Sequence, residues 1–108
     1  MAYPRWSPFD PGESPVLTID FSDPVLKQNG GAIVSASVVC RIRSGVDKNA
    51  DEIIPNATTI TDGLFVNFQK EPDTGISGCT YLVTAEATLE NGAVIYGTAI
   101  LIIQKGGA

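Results

Sequence analysis

The chain has 108 residues, 44% hydrophobic and 18% charged, and carries a net charge of −5 at pH 7. That length suits one domain around one hydrophobic core. The acidic balance and the lack of any Lys/Arg cluster argue against nucleic acid or an anionic membrane surface, since both need several cations in one patch.

Residues 1–15 lack strand or helix periodicity and carry Pro4, Pro8, Pro11 and Pro15, a composition that favours an extended polyproline II arm. Three residues per turn put Tyr3, Trp6 and Phe9 on one side, an aromatic ridge about 19 Å long. The ridge caps the chain's own domain, docks on a neighbouring subunit, where rigid aromatics make good anchors, or belongs to a disordered arm.

Val16 to Ser22 alternates Leu17, Ile19 and Phe21 with Thr18 and Asp20, a half-buried strand that Asp23-Pro24 ends or bulges. After the turn signals of 27–31, Ala32 to Arg43 alternates again, with Val34, Ala36, Val38, Cys40 and Ile42 expected inside. Arg41 and Arg43 share the outer side and read as solvated charge. Ser44 to Glu52 is a polar loop whose Asp47, Asp51 and Glu52 lack the spacing and turn glycine of an EF-hand, so no metal is expected. Ile53 and Ile54, before Pro55, are expected in a short edge strand. Asn56-Ala57-Thr58 matches a glycosylation sequon, by chance if the chain is not exported. Short strands follow at Thr58 to Thr61 and at Leu64 to Gln69, the latter with Leu64, Val66 and Phe68 on one side.

The longest patterned stretch, Gly78 to Gln104, reads as a hairpin closed by Asn91-Gly92 in a two-residue type I′ turn. Counting outward sets Leu89 opposite Val94 and Tyr81 opposite Ile102. Leu82, Ala99, Leu101 and Ile103 then gather on the outer face, an apolar group that needs covering. About six or seven short strands with no convincing amphipathic helix give an all-β sandwich.

Catalytic chemistry is hard to assemble from these residues. Histidine is absent, which removes the commonest general base and metal ligand. Cys40 lies on the inner side, opposite to its neighbour Arg41, and Cys79 has no cation nearby in sequence, so both read as packing residues. No phosphate loop or nucleotide fingerprint occurs, so neither enzyme activity nor a cofactor is expected. The first residues lack the order of a secretory leader and no run of about 18 apolar residues occurs. The expected compartment is therefore cytoplasmic, where the two thiols stay reduced; a disulfide across the sandwich is the alternative.

Two stretches carry a family likeness. Val16-Leu17-Thr18-Ile19-Asp20-Phe21-Ser22, of the form LxxDxS, and Gly78-Cys79-Thr80-Tyr81-Leu82-Val83-Thr84 followed by Glu90-Asn91-Gly92 resemble the fiber-tail adaptors of tailed bacteriophages. The segment from Ser44 to Leu64 is longer than that family's pattern. The resemblance implies an immunoglobulin-like antiparallel β-sandwich over 16–105, after an arm at 1–15 and before a short flexible tail at 106–108. It also implies a non-enzymatic virion protein made in the host cytoplasm and bound in several copies to the tail. There it would link fibers or other appendages to the tail tube or nozzle, with neither nucleic acid nor membrane as partner. The contact candidates are Tyr3, Trp6 and Phe9 on the arm and Leu82, Ala99, Leu101 and Ile103 on the hairpin, with Tyr81, Asn91 and Gly92 in structural roles. Tyr81 stands where its hydroxyl can tie back to an upstream loop, as in a tyrosine corner. Its order, Cys-x-Tyr, reverses that of antibodies, so antibody disulfide logic does not transfer. The alternatives are a capsid cement protein or a carbohydrate-binding, adhesin-like module. For the last, Phe65 is the one aromatic outside the arm expected to be exposed.

Overall fold

In β1 (Val16–Asp20) Leu17 and Ile19 are buried while Val16, Thr18 and Asp20 face out, the alternation that a half-buried strand requires. This is seen in a computed structural model that describes residues 3–107; the outer ends of the expected arm and tail, residues 1–2 and 108, lie outside the described residues. The chain continues through α1 (Ser22–Gln28), β2 (Ile33–Ser44), a 3-10 turn at Ala50–Glu52, β3 (Thr59–Thr61), β4 (Phe65–Gln69), β5 (Thr80–Leu89) and β6 (Val94–Ile102). The architecture is all-β: two antiparallel three-stranded sheets, ordered β1-β4-β3 and β2-β5-β6. One buried cluster takes Leu17, Ile19, Phe21, Val66 and Phe68 from the first sheet side and Val38, Tyr81, Val83, Leu89, Ile95 and Leu101 from the second. Gly97 sits where the two meet; a Cβ there would fall 2.8 Å from Ile19 and 3.0 Å from Phe21.

The helix α1 is unexpected. The Asp20 carboxylate accepts from the Ser22 N–H at 2.8 Å and from its hydroxyl at 2.6 Å, and these bonds hold the Asp20 pKa below the ordinary range. Pro24 lies in the first turn, where a missing N–H costs little, and Asn29 closes the helix at φ 50°. Seven residues are too few to present a helical period, so the segment reads as a strand break. Ile53 and Ile54 do not form a strand; they follow the 3-10 turn and are buried at 0% and 2% exposure. In β2, irregularities between Ile33 and Ser35 and between Ile42 and Ser44 break the alternation. The first of these buries Ile33 and exposes Val34, which was expected inside, whereas Ile42 keeps its expected place opposite Tyr81 and is 37% exposed near the strand end.

The hairpin register also differs from expectation, by one residue. Leu89 N–H donates to the Ala93 carbonyl at 2.8 Å and Gly92 N–H to the Leu89 carbonyl at 2.9 Å. The loop therefore holds three residues, Glu90, Asn91 and Gly92, and only Gly92, at φ 88°, has positive φ. Tyr81 lies opposite Leu101, not Ile102, and Thr88 opposite Val94. A one-residue slip turns every side chain of one strand to the other face. Ala99, Leu101 and Ile103 thus point into the core at 4%, 0% and 0% exposure.

Candidate functional site

The arm is part of the fold. It lies parallel to β6, with Ile100 N–H donating to the Pro4 carbonyl at 2.8 Å and Trp6 N–H to the Ile100 carbonyl at 3.2 Å. Further on, Phe9 N–H donates to the Ile102 carbonyl at 3.0 Å and Gln104 N–H to the Phe9 carbonyl at 2.9 Å. The expected aromatic ridge is divided: Trp6 and Phe9 pack against the chain's own core, Trp6 edge-on to Phe68 with centroids 6.1 Å apart, while Tyr3 is exposed.

Lys70, just past β4, locks the arm as it crosses to the other sheet. Its side chain is fully buried. Nζ donates to the carbonyls of Pro11, Glu13 and Glu71 at 2.8, 2.9 and 2.9 Å, which uses all three ammonium donors. Burial pushes the Lys70 pKa down, against the opposing pull of Asp73, Asp10 and Glu13. Ser14 Oγ donates to the Lys70 carbonyl, and Lys70 N–H to the Pro15 carbonyl. At the other end of the chain Gly106 N–H donates to Asp10 Oδ2 at 2.7 Å, so the segment expected as a free tail is tied to the arm.

Tyr81, at the start of β5, has no exposed surface. Its hydroxyl donates to Asp47 Oδ2 at 2.6 Å and accepts from Ile76 N–H at 2.9 Å, joining two loops on either side of the strand. Burial first, then the Asp47 contact, raises its pKa. Asp47, considered above as a metal ligand, is therefore engaged in this link. Among the described residues no group of three or more His, Cys, Asp or Glu is clustered to hold a metal ion. Cys40 and Cys79 are both free and buried, and burial pushes the Cys40 thiol up to about 12. A thiol so protonated is a poor nucleophile at neutral pH.

What remains open is the outward face of β2-β5-β6. Cross-strand rows bring Val39 beside Thr84 and Thr98, and Ser37 beside Glu86 and Tyr96. Val39, Val94 and Tyr96 are exposed at 52%, 45% and 64%. Ser37, Val39, Arg41, Thr84, Glu86 and Tyr96 line a shallow depression of about 190 Å³. Of the expected outer group only Leu82 lies on this face, half-buried between Arg41 and Ile100. Phe65 is also half-buried, and Tyr96 is the exposed aromatic of the sheets. Sequence reasoning missed Tyr96 because the two-residue turn turned it inward; a three-residue loop with glycine last reads equally from Glu90-Asn91-Gly92. Comparison with protein-family models, with curated proteins and with solved structures finds no significant match to this chain.

Proposed function

We propose that this chain is a non-enzymatic structural protein of a tailed-phage virion, an immunoglobulin-like sandwich that attaches fibers or other appendages to the tail. The observation that carries a contact role is the outward face of β2-β5-β6, which exposes Val39, Val94 and Tyr96 and whose depression Val39, Tyr96 and Arg41 line. Aromatic and arginine side chains on a rigid, otherwise small-residue face suit protein recognition. The sheet orders support the immunoglobulin-like reading: β1-β4-β3 and β2-β5-β6 correspond to B-E-D and C-F-G, and Tyr81 has the corner position at the start of strand F. The adaptor assignment itself rests on the likeness of Val16–Ser22 and Gly78–Thr84 to that family.

Immunogold labelling of virions with antibody against this chain is expected to decorate the tail. Label spread over capsid faces would replace the adaptor with a cement protein. One observation favours a second reading: Tyr96 presents a flat ring beside Glu86 in a depression that Arg41 also lines, which suits a carbohydrate-binding module. Glycan-array binding that Tyr96→Ala abolishes would decide for that module.

A further inference from the structure

An unpaired sheet edge accepts a strand from another chain unless brevity, charge, proline or a covering segment blocks it. Three of the four edges here are blocked in one of those ways. β3 has three residues. β1 carries a charge on its last residue, Asp20. Along β2, Asn56 Oδ1 accepts from Val38 N–H at 2.9 Å and Thr58 Oγ1 donates to the Ala36 carbonyl at 3.0 Å, and exposed Arg41 and Arg43 follow.

The edge of β6 is covered only over its second half. The N–H and carbonyl of Ile100 point away from β5, because both bond the arm. Strand alternation puts those of Val94, Tyr96 and Thr98 on the same side. Pro4 stops the arm's pairing there: the Thr98 carbonyl would need an N–H from residue 4, and proline has none. Among the described residues no strand lies beside Val94–Thr98 on that side. The segment Val94-Ile95-Tyr96-Gly97-Thr98 has neither charge nor proline.

We propose that this open half of β6 pairs with the same segment of a second copy, antiparallel about a two-fold axis at Tyr96. Tyr96 then opposes its counterpart, and Val94 opposes Thr98 of the other copy, with both sets of outward backbone groups satisfied. A two-fold contact uses one patch twice, so it must not bring like charges together; this segment meets that condition, whereas Arg41 and Arg43 would oppose cations in an equivalent pairing of β2. The Glu90–Gly92 turn leads each chain back toward its own β5 before it reaches the other copy's Pro4, which limits the pairing to about five residues. So short a contact gives a weak dimer, below the area of a standard stable interface. The inference does not depend on the adaptor reading.

Sedimentation velocity across a concentration series of the full chain is expected to reveal a reversible monomer–dimer equilibrium. Tyr96→Lys opposes two ammonium groups at the axis and should weaken association at least about tenfold, with the thermal midpoint unchanged because the side chain is largely exposed. Tyr96→Cys supplies a second readout, since Cys40 and Cys79 are buried: mild oxidation should give cross-linked dimer, while Asp23→Cys on α1, also exposed, should not. A chain that stays monomeric at the highest soluble concentration, or a dimer that Tyr96→Lys leaves intact, overturns the proposal.

Discussion

One phenolic oxygen joins the loop carrying Asp47 to the loop carrying Ile76. Tyr81→Phe keeps the buried ring and removes only that link, leaving the Ile76 N–H and the Asp47 carboxylate without their partner. The expected cost is about 1–2 kcal/mol, read as a lower denaturation midpoint at unchanged slope. Lys70 acts in the same way at the other sheet, through three carbonyls at once. Lys70→Met preserves the stem but strands those acceptors, at about 1–3 kcal/mol. Trp6 is the chain's only tryptophan and packs on Phe68, so loosening of the arm should appear as a red-shifted emission. Neither the depth of Lys70 nor its role is legible in the sequence, where it is one lysine in an apparent loop. Tyr81 is legible, because its place at the start of a late strand already suggests a corner.

At the level of elements, the β5–β6 loop offers the sharpest test. Gly92 alone needs positive φ, and nothing crowds its missing Cβ. Gly92→Ala should therefore cost about 1 kcal/mol from backbone strain, and Asn91→Ala less, since Asn91 contributes one side-chain bond to Ala93 N–H. Equal, large losses at both positions would point instead to a two-residue turn. The alternation of β1, β4 and β5 was readable because each has one buried face. The hairpin register was not, because Glu90-Asn91-Gly92 fits a two- or a three-residue loop, and distant partners hold the loop head in place. Glu90 N–H donates to the Ala32 carbonyl and Asn91 N–H to that of Gly30. Glu90 Oε1 accepts from Ala32 N–H. With that register went the face assigned to Ala99, Leu101 and Ile103. In β2 the irregularity that exposes Val34 leaves no trace in a pattern that alternates smoothly.

For the whole molecule, the arm stitches one sheet to the other, along β6 from Pro4 to Phe9 and then onto β4 at Pro15. Deleting residues 3–13 removes three backbone bonds to β6 and one to Gln104 just beyond it, about 4 kcal/mol at about 1 kcal/mol each, and uncovers Phe68. The expected outcome is a much lower thermal midpoint with aggregation; a soluble, equally stable protein would mean that the arm adds nothing to its own domain. The direction of that pairing also matters under load. Because the arm and β6 run parallel, pulling the Tyr3 end against the Gly107 end slides the two segments lengthwise past one another. Their hydrogen bonds are then strained together, in shear, instead of parting one at a time like a zip. A tether between two bodies that tug on each other would be strongest along that axis.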